Sequence, residues 1–246
     1  MSTEKLATVR KLLAKAERAA TAEEAEIYTA KAVELMARHG IDSALLDAAE
    51  PGRDEIGGLR VAMSDPYSAG KARLLGWTAA ALGCRWVLHG TWAGKVAAVT
   101  VFGHASDRER IEVLYTSLQL QATSQLVRIR PPWPGESVAA YRRSWLEGFA
   151  QQVHRRLLAA EQRAATHAAT HDATAAPPGT GGVALVLADR RERVDREFAT
   201  AFPRLGTARR RVLSGSGWAA GAEAGEAADL GRGGGLGRGR RRAVGA

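Results

Sequence analysis

From Ser137 onward, large apolar residues recur every three or four positions: Val138, Tyr141, Trp145, Phe149, Val153 and Leu157. That period places them on one stripe of an α-helix. A stripe this bulky has to be covered by other elements, so the chain is expected to build a helix-rich core around it. A second stripe, Ile111, Leu114, Tyr115, Leu118 and Ala122, follows Ser106 and Asp107, either of which suits a helix N-cap. The segment PPWPG at 131–135 separates the two helices, because proline cannot continue the first.

Between residues 84 and 103 the pattern changes. CRWVLH (84–89) and KVAAVTVFG (95–103) flank GTWAG, a glycine-bounded connection that suits a β-hairpin. Residues 69–83 read as a helix ending near Gly83. The fold class that follows is α+β: an N-terminal helical hairpin plus a mixed domain with a small β-sheet and long helices.

The N-terminal hairpin rests on local signals. Leu6, Val9, Leu12, Leu13 and Ala16 share a face of a helix from about Thr3 to Arg18. Thr21 and Glu24 form a capping box for a second helix, whose stripe is Ala25, Tyr28, Ala32, Leu35 and Met36. Gly40 is expected to end that helix as a left-handed C-cap, and Asp42 to cap a short third helix holding Leu45 and Leu46. The organisation expected is a helical hairpin (1–48), a linker with a short strand at Leu59–Met63 (49–68), an α+β domain (69–163), a low-complexity linker (164–182), the C-terminal part of the α+β domain (183–230) and a disordered Arg/Gly tail (231–246). Within the C-terminal part, GVALVLA (182–188) reads as a buried strand. Asp189 then caps a helix bearing Val194, Phe198 and Phe202, ARRRVLSG (208–215) reads as a strand, and 217–231 as a weak helix interrupted by glycines.

Charge is distributed unevenly. The net charge is +9; residues 1–130 hold 17 Lys+Arg against 15 Asp+Glu, and residues 131–246 hold 18 against 11. The last sixteen residues carry five arginines and no acid, and every basic residue after Lys95 is an arginine. Such a field attracts polyanions, although a GC-rich coding sequence also yields arginine by codon bias. Arg209, Arg210 and Arg211, with Arg232, Arg238, Arg240, Arg241 and Arg242, are the candidate nucleic-acid-binding residues, since glycine-spaced arginines give flexible, sequence-independent phosphate contacts. Trp86 and Trp92 near the hairpin tip have the chemistry to stack on bases, but suit half-buried strand positions better.

Catalytic signatures are missing from the sequence: no phosphate loop, nucleophile elbow, paired-cysteine motif or dinucleotide fingerprint. The single cysteine, Cys84, builds no disulfide framework and points to a reducing cytoplasm. No apolar run is long enough for a membrane span. Cys84, His89 and His104 flank the hairpin, but Cys84 and His89 fall on opposite faces of a strand; His167 and His171 share a helical face without further ligands. No cofactor and no metal is therefore assigned. His39-Gly40-Ile41-Asp42 is explained by helix-end chemistry better than by an acid–base pair.

Residues 9–42, VRKLLAKAERAATAEEAEIYTAKAVELMARHGID, resemble the short N-terminal domain DUF2786: a lysine- and leucine-rich first helix, an A-E-A second helix, and the ending formed here by Leu35, Met36, His39, Gly40, Ile41 and Asp42. Ala20-Thr21 stands where that family often has Asn-Pro. The 106–127 helix, YRRSWLEGFAQQVHRRL (141–157), DRRERVDREF and GWAAGAEAG resemble the companion domain DUF7168, found in many bacterial and phage proteins. Both families are of unknown function, so the resemblance implies a fold and no activity. The expectation is a non-enzymatic accessory protein with non-specific nucleic-acid affinity. The alternatives are a hydrolase-like enzyme, with a site between the hairpin sheet and the 137–163 helix holding His89, His104 or His154, or a protein-interaction module offering an apolar groove beside Leu6, Val9 and Leu13.

Overall fold

The computed structural model describes residues 8–9, 11–12, 15, 22–175, 182–206, 213–228 and 230. Its elements run α1 (Ala22–Ala49), β1 (Ile56–Ala62), α2 (Ser68–Ala81), β2 (Arg85–His89), β3 (Ala98–His104), α3 (Ala105–Leu126), α4 (Val138–Ala175), α5 (Val183–Ala201) and α6 (Trp218–Glu226). This is the expected α+β architecture. The sheet has the order β1-β3-β2, antiparallel throughout, with Leu59 opposite Val101 and Trp86 opposite Val101 on its other side.

The alternation of each strand decides what covers the sheet. Val99 and Val101, with Leu88 and Trp86, face α2 and α3 and join the main core of Leu74, Leu75, Ile111 and Leu118. Trp86 lies against the α2 backbone at Gly76, where a Cβ would stand 2.6 Å from its Cε2. Phe102 faces the other way, onto Val194 and Phe198 of α5. Helix α4 is the spine: Tyr141, Trp145, Phe149, Val153 and Leu157 are all buried, as their period requires, while Val138 at its start stays exposed.

Three expectations are corrected. Helix α1 does not end at Gly40; it runs on through Asp42 to Ala49, so Gly40 is no C-cap and Asp42 starts no new helix. Leu45 and Leu46 consequently lie on its exposed side. Residues 164–175 are not linker but the last turns of α4, with Ala164 buried against Ala37, Ile41 and Val183. The alanines there supply helix propensity, and small side chains let α1 and α5 approach. Residues 183–188 are helix, not strand: the apolar run opens α5, and its Val183 and Leu187 at i, i+4 pack on α1 and α4. The 208–215 strand falls largely outside the described residues, and its described end, 213–215, is coil.

The glycines of α6 have a packing role that the expectation of a weakened helix missed. Gly217, Gly221 and Gly225 recur every four residues and face α4. A Cβ at Gly221 would stand 2.6 Å from the Trp145 carbonyl carbon, and one at Gly225 2.6 Å from the Phe149 oxygen. From the other side, a Cβ at Gly148 would stand 2.9 Å from the Ala222 nitrogen. The two helices thus meet backbone to backbone, the arrangement that small residues at this spacing permit.

The described part of the N-terminal segment agrees with a helical hairpin. Lys15 lies over the Tyr28 ring, 5.6 Å from its centroid, and Val9 is buried in one cluster with Ala32 and Met36. Earlier residues pairing with later ones is the signature of antiparallel helices.

Candidate functional site

The chemistry-bearing groups that this fold brings together are not those nominated by the sequence. Arg190, on the first half of α5, reaches under the start of α3. Its Nη2 donates to Asp54 Oδ2 at 2.6 Å, to Asp107 Oδ2 at 2.9 Å and to Ser106 Oγ at 3.0 Å. Asp107 accepts again from Arg110 Nη1 at 2.9 Å, and Arg110 donates to Glu161 of α4. Asp54, in the loop before β1, caps α3 from outside: its Oδ1 accepts the Ser106 N–H at 3.0 Å and its Oδ2 the Ser106 hydroxyl at 2.5 Å. The Asp54 N–H donates to Asp47 of α1, whose other oxygen accepts from Arg193 of α5 at 2.7 Å. The Arg193–Asp47 pair, joined through the Asp54 N–H to the run Asp54, Arg190, Asp107, Arg110 and Glu161, therefore links α1, α3, α4, α5 and the loop before β1.

Arg110 is 2% exposed, and Gly40 makes room for it: a Cβ there would stand 2.8 Å from the guanidinium carbon. This is the reason for a glycine inside α1. His39, one residue earlier, is buried and shares a hydrogen bond of 3.1 Å with Ser43 Oγ.

His104 ends β3 and is fully buried. Its Nδ1 donates to the Asp54 carbonyl at 2.8 Å, which fixes the proton on Nδ1. Burial and the neighbouring Arg190 charge push its pKa below the ordinary 6.5, so the ring is neutral at pH 7. For Asp54, burial raises the carboxyl's pKa, but the Ser106 hydroxyl and N–H and the Arg190 cation outweigh it and hold it below the usual value. Burial drives the Cys84 thiol strongly upward, so it is a packed thiol and not a nucleophile.

These assignments say what the cluster can do. Ser106 Oγ gives its proton to an aspartate that is a weak base and accepts from Arg190, so nothing activates it as a nucleophile. Every carboxylate is matched to a guanidinium. Such a network fixes the relative placement of five elements more than it adds net stability; removing one member leaves an uncompensated buried charge and costs about 3–5 kcal/mol. A cleft of about 540 Å³ opens beside it, lined by Asp54, Glu55, Ile56, Arg193, Arg196 and Glu197. The Asp54 and Arg193 side chains there are already engaged in the network.

The other nominated residues are dispersed. His89 Nε2 lies 2.8 Å from Thr100 Oγ1 on the α5 side of the sheet, and His154 Nδ1 donates to the Trp77 carbonyl at 2.8 Å on α4. The proposed enzyme site between the sheet and α4 is not assembled, because α2 fills that seam with Leu74, Leu75 and Ala79. No group of three or more metal-ligating side chains forms among the described residues. Val9, the centre of the suggested interaction groove, is buried. Arg209, Arg210, Arg211, Arg232, Arg238, Arg240, Arg241 and Arg242 all lie outside the described residues. Sequence reasoning missed the ion network because, apart from Asp107–Arg110 and Asp47–Asp54, its partners are separated by 51 to 146 residues. The one local hint was a glycine in a helical pattern without a following break.

Residues 4–43 match the model of a family described as a protein of unknown function, DUF2786. No curated protein and no solved structure matches the chain. No described helix is long and apolar enough to cross a membrane.

Proposed function

We propose that this chain is a non-enzymatic accessory protein that binds nucleic acid without sequence preference, in a reducing cytoplasm. The observation that carries the reading is the charge distribution: residues 131–246 hold 18 arginines against 11 acids, and the last sixteen hold five arginines and no acid. Arginines on a polyanion release condensed counterions, which gives affinity without base readout. The ion network supports the non-enzymatic half, since each of its carboxylates is paired with a guanidinium.

Described residues flank both arginine runs in sequence. Leu213–Gly217 follow Arg211 and lie against the first turns of α4, where Ser216 bonds Glu136 at 2.7 Å and a Cβ at Gly217 would stand 3.1 Å from Trp145 Cβ. Leu230, two residues before Arg232, is buried in the main core. A chain ending at Leu230 therefore retains every described buried residue and lacks the five tail arginines. The DUF7168-like reading of 69–230 belongs to the same proposal and rests on the stretches at 106–127 and 141–157.

The test is fluorescence anisotropy with labelled DNA and RNA, for the full chain and for a chain ending at Leu230, across a salt titration. Binding that weakens steeply with salt and falls on truncation is expected. A full chain that binds neither polymer at low salt overturns the reading.

A further inference from the structure

The junction between α3 and α4 carries an unpaired cationic spot beside an exposed tryptophan. Arg130 Nη1 donates to the carbonyls of Val127 and Ile129 at 3.3 and 3.1 Å. Arg142 Nη2, from the first turn of α4, donates to the same two oxygens at 3.0 and 3.4 Å. Two guanidinium groups thus converge on one pair of carbonyls at the C-terminal end of α3. The partial negative charge of a helix end holds them there, but it does not neutralise two full charges. Among the described residues no carboxylate pairs with Arg128, Arg130, Arg142 or Arg143. The nearest acids in sequence are committed elsewhere: Glu136 to the Ser216 N–H and hydroxyl, each at 2.7 Å, and Glu147 to Arg73.

Trp133 lies three residues beyond Arg130 and is 68% exposed. Pro131, Pro132 and Pro134 surround it, so the backbone that presents it has little freedom left to lose on binding. An uncompensated guanidinium pair fits a phosphate, and a rigidly presented indole face fits an unpaired base, whereas the bases of a duplex are already stacked.

We infer that the α3–α4 junction is a contact site for single-stranded nucleic acid, with Arg128, Arg130 and Arg142 on the phosphates and Trp133 stacked on a base. The inference rests on the nucleic-acid reading above and adds a strand preference and a place on the body of the protein. A protein partner is the competing occupant of an aromatic–arginine patch, but the convergence of cations without any acid favours a polyanion.

The experiment measures binding of a labelled deoxythymidine oligonucleotide and of a mixed-sequence duplex to full-length protein, Trp133→Ala, Trp133→Phe and Arg128→Gln/Arg130→Gln, with circular dichroism confirming unchanged folding. Arg142 is left intact because it tethers the two helices. Trp133→Ala is expected to weaken single-strand binding by roughly 5- to 150-fold, the range for loss of one stacked base. Trp133→Phe retains most of the affinity, and duplex binding changes by less than about twofold on the same argument. The double arginine variant lowers the slope of log K against log salt by about 1.4, for two phosphate contacts on a single strand. Wild-type protein that binds while Trp133→Ala binds the oligonucleotide equally well overturns this inference and leaves the tail reading standing. A wild-type chain that binds no nucleic acid at low salt overturns both.

Discussion

Replacing Gly40 with alanine separates two accounts of the same residue by sign. A helix-interior glycine replaced by alanine gains about 1 kcal/mol of helix propensity, and Gly40 lies well inside α1. Against that gain stands Arg110. The new Cβ would lie 2.8 Å from its guanidinium carbon, well inside van der Waals contact. An exposed arginine would swing aside at little cost. Arg110 is 2% exposed and is held by Asp107 at 2.9 Å on one side and by Glu161 on the other, so moving it breaks a buried ion pair. That costs about 3–5 kcal/mol. The steric term wins, and Gly40→Ala is expected to destabilise by about 2–4 kcal/mol net of propensity. Urea unfolding followed by circular dichroism measures it. Paired with Arg110→Ala in a double-mutant cycle, the two changes are expected to be strongly non-additive, because the clash disappears with the guanidinium. A stabilisation of about 1 kcal/mol by Gly40→Ala alone would refute the reasoning, since propensity would then be acting unopposed.

Three further outcomes follow from the same geometry. Gly221→Ala destabilises by a few kcal/mol despite the better helix former, because the methyl meets the Trp145 backbone, whereas Glu223→Ala on the exposed side is neutral within about 0.5 kcal/mol; thermal melts compare them. Stability falls with acid in two stages: His104 has a lowered folded pKa, so the unfolded state takes up protons first as pH drops through 6.5, and Asp54, held below 3.8, gives up its contribution as pH falls through its own folded value. Urea midpoints against pH check this, and His104→Asn is expected to remove the upper stage. Cys84 is buried with its thiol pKa driven up, so thiol reagents label it at the rate of unfolding and not before.

What was legible in the sequence was whatever local spacing controls. The stripes of α3 and α4 were readable because side chains three and four apart share a face whatever lies opposite. The β2–β3 hairpin was readable because glycines bracket two apolar runs. Helix α5 was misread at its start because a short apolar run is equally compatible with a strand and a buried helix, and only Leu187 packing beside Val183 decides between them. Gly40 was misread because a glycine after a helical stripe marks a terminus more often than a gap for another helix's arginine. The Asp54–Arg190–Asp107 cluster was beyond local reading: Asp54 and Arg190 are 136 residues apart, and neither differs in its own neighbourhood from a surface charge. The four-residue spacing of Gly217, Gly221 and Gly225 was visible but read only as a weakened helix, because the backbone it packs against, at Trp145 and Phe149, lies on another element.

The salt dependence of single-strand binding by the full chain tests the proposed role most directly. Engagement of Arg209–Arg211 and the five tail arginines alone predicts a slope of log K against log salt of about −5 to −6, steepening to about −8 with the three junction arginines, indifferent to base sequence. A flat salt dependence, or affinity confined to one sequence, would contradict it.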